Sequence, residues 1–385
     1  MQQYDVIVVG AGPSGAIASK SCARNGLNTL LLEKERIPRL KLCGGAVSTS
    51  ALSHLDFGIK KDLIERECYG ERVHFKNHQI EVRRKSRLAI LVSRDKFDAY
   101  LVSKAVDAGV ALHEAEKARS IKPEQRRIVV ETNKERYNAK IVIGADGVNS
   151  IVSKYVRDSC KPYELGFCIA AEIPASNEEV NEYIENAIDI HYGITKFGYG
   201  WVFPKENYFS VGLGGILPHM KNSRAIFMAF IKELGFSTNV HTQTHLIPAG
   251  GHEREVCSDR IILVGDAAGF VDPFYGEGIK YAFISAKLAA ERVVESYEND
   301  EFSKSALDSY KRACYSVFGE NLKYSLRLTR LMYTCPNIFF RLLSSNKIVL
   351  DKWLEVPAGE MGYKEYIKWL IPRVPYFMLK AQFSF

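Results

Sequence analysis

The sequence predicts an α/β protein built from a parallel-sheet domain, an antiparallel-sheet domain and a C-terminal helical segment. Three observations lead there. Residues 4–9 (YDVIVV) are a short β-branched apolar run of the kind buried on both faces of a parallel sheet, followed by a glycine-rich turn and a small-residue helix. Two further apolar runs, 141–144 and 260–264, each lead into a turn containing glycine and aspartate. Between them, residues 161–255 read as successive strands with one helix at about 222–234, the pattern of an antiparallel sheet.

Taken in order, the first turn is Gly10-Ala11-Gly12-Pro13-Ser14-Gly15, a G-x-G-x-x-G motif in its required context. A strand precedes it, a helix (16–26, stopped by Gly26) follows, and a second strand (28–32) ends in the acid Glu33. This is a Rossmann-type dinucleotide turn. Gly10 allows the tight bend, Gly12 lets a pyrophosphate approach the backbone, and Gly15 permits close helix–strand packing. Pro13 and Ser14 open the helix, whose unpaired N–H groups and dipole face the phosphates. Glu33 is expected to accept ribose hydroxyls, and an acid there disfavours NADP bound at this site. The chain holds one such motif, so a second dinucleotide domain is not expected.

The order of the later motifs narrows the cofactor. IVIGADGVNS (141–150) carries Asp146-Gly147, and RIILVGDAAG (260–269) carries Gly265-Asp266, followed by FVDPFYGEGI. With these three motifs in this order the chain resembles the flavoprotein class typified by p-hydroxybenzoate hydroxylase. The resemblance implies FAD, with Asp266 on the ribityl chain and Asp146-Gly147 supporting the pyrophosphate. It also implies a flavin contact for Arg94, which opens the helix in 93–109. That class often has an arginine a few residues after Asp-Gly, where this chain has Ser153 and Lys154. Each aspartate could equally be a helix N-cap. Pro273, Gly276, Gly278 and Ile279 lead into a helix expected at about 277–294, placing a helix N-terminus toward the flavin's N1–C2=O edge.

Two further segments point to a family. RLKLCGG (39–45) supplies Cys43, Gly44 and Gly45, and FGYGWVFPKENYFSVGLGG (197–215) supplies Tyr199, Trp201, Phe203, Pro204 and Gly212. Here, over roughly residues 1–330, the chain is similar to the geranylgeranyl reductase family, including archaeal digeranylgeranylglycerophospholipid reductases. Alternation along a strand puts Tyr199, Trp201 and Phe203 on one face, an aromatic wall suited to an isoprenoid chain. Each methylene buried against it contributes about 0.8 kcal/mol. An aromatic strand is also an ordinary sheet core, and a free cysteine is also a small buried hydrophobe. The cationic neighbours Arg39 and Lys41 and the two glycines suit a flavin-adjacent Cys43 thiol.

The resemblance implies reduction of C=C bonds in prenyl chains of lipids, by hydride from reduced flavin N5 and a proton from Cys43 or an ordered water. The electron donor is ferredoxin or NADPH. One alternative on the same scaffold is an aromatic hydroxylase or a halogenase, though the Trp-x-Trp-x-Ile motif of related halogenases is absent. A second is a prenyl-group carrier, against which the intact Asp-Gly and Gly-Asp motifs argue. No metal site is expected. His241 and His245 in HTQTH fall on a strand, about 13 Å apart, and His74 and His78 flank a hairpin turn and carry the same objection. The expected organisation is an FAD-binding domain from 1–69, 93–160 and 256–300, a substrate domain from 70–92 and 161–255, and a helical segment from 301–385.

Composition bounds the rest. A chain of 385 residues, 46% hydrophobic and 25% charged, is globular and long enough for two or three domains. The N-terminus lacks a signal peptide's basic start, no window offers a transmembrane span, and the eight cysteines form no C-x-x-C pair. A cytoplasmic protein with reduced thiols is expected. The net charge of +7 does not call for nucleic acid. It is concentrated in residues 321–385, which hold 10 Lys/Arg, 4 Asp/Glu and 12 aromatics. That composition suits peripheral contact with an anionic membrane, and equally a solvated helical cap.

Overall fold

The computed structural model describes residues 2–249 and 253–382, which divide into two units. The first comprises 1–41, 94–161 and 251–322. Its centre is β1 (Gln2–Val9), with Val6, Ile7 and Val8 fully buried, as an apolar run in the middle of a parallel sheet requires. β1 pairs in parallel with β2 (Thr29–Leu32) on one side and with the strand Arg136–Gly144 on the other. The strands Ala111–His113 and Ile261–Leu263 extend the parallel sheet outward at the two ends. An antiparallel pair, Ala118–Pro123 with Ile128–Thr132, branches from Arg136–Gly144. Helix α1 (Pro13–Arg24) packs on the helices Arg94–Val106 and Ile279–Glu298.

The second unit comprises 42–93, 162–250 and 323–385. Its seven-stranded sheet runs Gln243–Ile247, Gly166–Pro174, Tyr208–Ile216, Gly198–Pro204, Ala187–Tyr192, Gly70–Phe75 and His78–Arg83. All pairs are antiparallel except Ala187–Tyr192 with Gly70–Phe75, which is parallel. The hairpin at 70–83 therefore joins this sheet, but through a parallel edge. Phe227, Phe230 and Ile231 of the helix Ser223–Glu233 cover one face, against Ile169, Val202, Val211 and Leu213. The helix Pro336–Ser345 packs on the hairpin, and Trp353, Tyr363 and Tyr366 form a buried cluster among the helices that follow.

Two assignments differ from the sequence expectation by more than a few residues, and strand pairing explains the first. Residues 42–69 belong with the second unit because Ala46–Ser48 and Arg66–Cys68 both pair with Ala89–Leu91, making a small three-stranded sheet. The segment 301–385 is not a separate body. The helix Lys304–Cys314 packs on Ile279–Glu298 and so belongs to the first unit, while the chain from 323 onward belongs to the second. Among the described residues, no helix is long and apolar enough to cross a membrane. All eight cysteines are free.

Candidate functional site

In the first unit the glycine-rich turn is as tight as its sequence demands. Gly10 has φ +100°, and a Cβ there would lie 2.5 Å from the Ala145 carbonyl oxygen. A Cβ on Gly15 would lie 1.8 Å from the Gly10 carbonyl oxygen, so neither position accepts a side chain without backbone movement. Gly12 is the N-cap of α1 and Pro13 opens it, and no side chain caps that end. An uncapped helix start beside a tight glycine turn presents backbone donors to an anion. Ser14 is buried against the second motif, its Oγ 2.8 Å from where a Cβ of Gly265 would be.

Glu33 is buried at the end of β2, and its Oε2 accepts from Ala11 N at 2.9 Å. Arg39 lies over the same carboxylate, its Nε 3.4 Å from Oε2, and its Nη1 donates to Asp98 Oδ2 at 3.2 Å. Asp98 in turn takes two hydrogen bonds from Arg94, at 2.8 and 2.9 Å. Arg94, which the resemblance places on the flavin, is thus held in a buried chain of charges, Arg94–Asp98–Arg39–Glu33. The sequence reading assigned Arg39 to the surroundings of Cys43 and passed over Asp98. The i,i+4 spacing of Arg94 and Asp98 on a helix was the available signal.

Asp146 Oδ2 accepts from Ile151 N (2.7 Å) and Val152 N (3.3 Å) and so braces the loop ahead of the short helical turn Val152–Tyr155, whose N-cap position is Ile151 rather than the aspartate. Its Oδ1 is buried with no hydrogen-bond partner among the described residues, and burial pushes its carboxyl pKa up. Gly147, at φ +78°, has open space where a Cβ would be. In the Gly265–Ala268 helical turn, Asp266 is partly exposed, with Lys41 Nζ at 3.9 Å. The long helix begins at Ile279 rather than near 277, with Gly278 as an N-cap lacking any side-chain cap. Gly276 has φ +68°, and the Asp272 carboxylate holds the turn after Pro273 by accepting from Phe274 N and Tyr275 N.

The second unit carries the aromatic motif on the strand Gly198–Pro204. Tyr199 and Trp201 rings lie 6.2 Å apart and Trp201 and Phe203 rings 6.3 Å apart, so the three make one continuous row. Gly212 makes room for the indole: a Cβ there would be 2.2 Å from Trp201 Cζ2. Trp201 is buried, so the middle of the row also serves as sheet core, while Tyr199 and Phe203 are half-buried. Gly44 lies flat on Phe203, with 2.5 Å between its Cβ position and Cε2. Cys43 is exposed, and its Sγ accepts from Gly45 N at 3.4 Å.

A family profile described as an FAD binding domain matches residues 3–210. The chain is 30% identical over 350 residues to the digeranylgeranylglycerophospholipid reductase of Methanocaldococcus jannaschii, covering 85% of this chain and 87% of that one. The chain belongs to the geranylgeranyl reductase family. An uncharacterised protein of Methanosarcina barkeri is also 30% identical over 350 residues, covering 90% of this chain and 88% of its own. A geranylgeranyl bacteriochlorophyll reductase-like protein from Thermoplasma acidophilum superposes with a TM-score of 0.81 at 23% identity, covering 99% of both chains. The flavin-dependent brominase Bmp2 gives 0.73 at 18%, covering 93% and 94%. At those identities the two structures show the fold alone.

This geranylgeranyl reductase family member is an FAD-dependent oxidoreductase, and its first unit fits the cofactor on its own terms. Gly10 and Gly15 of the cradle admit no Cβ, two helices start without side-chain caps, and Asp146 keeps a buried oxygen unpartnered among the described residues. An arginine after Asp-Gly is also present, displaced along the chain. Arg157 donates to the carbonyls of Glu255, Ala267 and Ala268 at 3.0, 2.7 and 2.9 Å and so holds the Gly-Asp turn by its backbone.

One cluster joins a histidine discounted on sequence grounds to two residues that no motif singles out. His74, discounted beside His78, meets Asp189 and His191 from the neighbouring strand, the two histidines being directly registered. The rings of His74 and His191 stack 4.0 Å apart with planes 8° apart, and His74 Nε2 is 2.6 Å from Asp189 Oδ1. Ligand atoms around a tetrahedral zinc stand about 3.3 Å apart with ring lone pairs converging. Parallel rings and a 2.6 Å contact hold a proton instead.

Proposed function

We propose that this enzyme saturates C=C bonds in the prenyl chains of a lipid. The observation carrying this reading is the row Tyr199–Trp201–Phe203 with the Cys43-Gly44-Gly45 loop laid on its Phe203 end, in a family member whose curated relative is a digeranylgeranylglycerophospholipid reductase. FAD, when bound and reduced, supplies the hydride for one alkene carbon. Gly10, Gly12, Pro13, Ser14 and Gly15 would hold its pyrophosphate, Glu33 its ribose, and Asp146, Asp266, Gly276 and Gly278 the remainder. The proton for the second carbon comes from the Cys43 thiol, or from a water ordered beside it. Each turnover adds two hydrogens to the lipid and consumes two electrons, resupplied by ferredoxin or NADPH. Isolated alkenes accept hydride poorly, so positioning and proton donation must share the barrier.

The C-terminal part of the second unit offers the lipid a place to approach from. Between 363 and 382, Tyr363, Tyr366, Leu370 and Phe377 face inward, while Lys368, Ile371, Arg373, Tyr376 and Leu379 are exposed. Cations beside exposed apolar side chains match an anionic bilayer surface.

The decisive experiment is a single turnover. The purified holoprotein is reduced anaerobically with dithionite, geranylgeranyl phospholipid is added, and flavin absorbance is followed with mass spectrometry of the lipid. Flavin reoxidation with two hydrogens gained per double bond is expected. A flavin that stays reduced over unchanged lipid overturns the reading, and oxygen-dependent turnover of a phenol would replace it with hydroxylation.

A further inference from the structure

The aromatic row ends in a buried cation. Lys205 directly follows the strand, and its N–H still donates to Tyr208 O at 2.9 Å, so the alternation that aligns Tyr199, Trp201 and Phe203 continues to it. Its side chain is 1% exposed, and Nζ donates to Val92 O at 2.7 Å. Val92 N in turn donates to Gly45 O at 2.9 Å. Gly45, at φ +72°, comes so close that a Cβ there would be 2.1 Å from Val92 O and 2.6 Å from Lys205 Nζ. Gly45 N completes the chain on Cys43 Sγ. The backbone of Lys205 is fixed as well, its carbonyl accepting from Arg66 Nε and Nη2 at 3.3 and 3.1 Å.

Burying an ammonium is costly, and an unbranched apolar side chain would fill the same space without that cost. Packing therefore does not call for the charge. Among its contacts the charge grips the Val92 carbonyl, and that carbonyl belongs to the residue bonded to the Cys43-Gly44-Gly45 loop. We propose that Lys205 is a positioning residue: through Val92 and Gly45 it fixes the Cys-Gly-Gly loop against the Phe203 end of the aromatic row, holding the Cys43 sulfur in place. The inference that this placement serves turnover rests on the alkene-reductase reading; the placement itself does not.

Two measurements on FAD-loaded protein test it. Lys205→Met keeps the length of the side chain and removes the donor, and Lys205→Arg restores donor and charge. In the Met variant, amide exchange in peptides spanning 43–47 and 90–94 accelerates about tenfold, with other peptides and FAD content unchanged. Its kcat for lipid reduction falls about tenfold or more with KM within about twofold, because a misplaced group lowers the rate without weakening binding. The Arg variant recovers both. Unaltered exchange in those peptides, or a kcat within about twofold of the parent, overturns the proposal. If the Met variant does not fold, Lys205→Gln, which keeps a donor but loses the charge and the reach to Val92 O, is measured by the same two readouts: a smaller acceleration of exchange with a smaller fall in kcat supports the proposal, and parent-like values of both overturn it. Should the parent itself fail to reduce lipid, the reductase reading falls, and the exchange comparison alone decides the positioning role.

Discussion

His74 and Asp189 are joined by a 2.6 Å contact between residues 115 positions apart, and Asp189 is fully buried. Tyr183 OH donates to the second carboxylate oxygen at 3.0 Å, and His191 Nε2 lies 3.3 Å from it. Burial alone would raise the Asp189 carboxyl pKa. The contacts from His191 and His74 outweigh it and hold the group below the usual carboxylate range. A depressed carboxylate contributes stability that is present above its unfolded pKa, near 3.9, and is lost as pH falls toward the folded one. Unfolding stability should therefore decline below about pH 4. Asp189→Asn should cost roughly 3 kcal/mol at neutral pH and flatten that acid decline, as measured by denaturant titrations from neutral to acid pH.

Gly15→Ala is the sharpest test of the nucleotide turn. Its Cβ would enter a space 1.8 Å from a backbone oxygen, so α1 must move off β1. A cost of about 1–3 kcal/mol is expected, together with protein that purifies without yellow colour. Flavin-to-protein absorbance ratio and melting temperature check both.

Arg39 bridges two buried carboxylates from different parts of the chain, Glu33 just after β2 and Asp98 in the helix Arg94–Val106. Its removal leaves both with one partner fewer. Arg39→Ala should weaken FAD binding about tenfold or more, and Arg39→Lys should restore only part, since an ammonium cannot reproduce the planar fork. Titration of apoprotein with FAD, followed by flavin fluorescence, measures the change.

The proposed membrane contact is tested by surface substitutions. Truncation within the tail would strip Tyr363 and Tyr366 from the buried Trp353. Replacing Lys368 and Arg373 by Glu, and Tyr376 and Leu379 by Ser, alters exposed residues instead. Each cation near an anionic bilayer contributes about 1 kcal/mol, so sedimentation with phosphatidylglycerol vesicles should fall sharply, with FAD content unchanged. Unchanged sedimentation would reject the contact.

Much of the nucleotide-binding half was legible in the sequence because its determinants are local. The bend at Gly10, the close packing at Gly15 and the acid ending β2 all follow from spacing within some two dozen residues. The same holds for the aromatic row, since strand alternation alone aligns Tyr199, Trp201 and Phe203. Local pattern also misled. The helix start at Ile279 and the parallel edge between Ala187–Tyr192 and Gly70–Phe75 depend on neighbours that spacing does not name.

By itself, then, the sequence determined a parallel-sheet nucleotide fold, a single dinucleotide turn and an aromatic strand beside a Cys-Gly-Gly segment. Tertiary structure alone decided which groups share charge and protons. Arg39 meets Asp98 across 59 positions and Lys205 meets Val92 across 113. It also assigned residues 42–69 to the second unit through pairing with Ala89–Leu91. The physical reason is common to all three. A backbone turn is fixed by the residues that make it, whereas a buried charge or an edge strand takes whichever partner the packed chain brings to it.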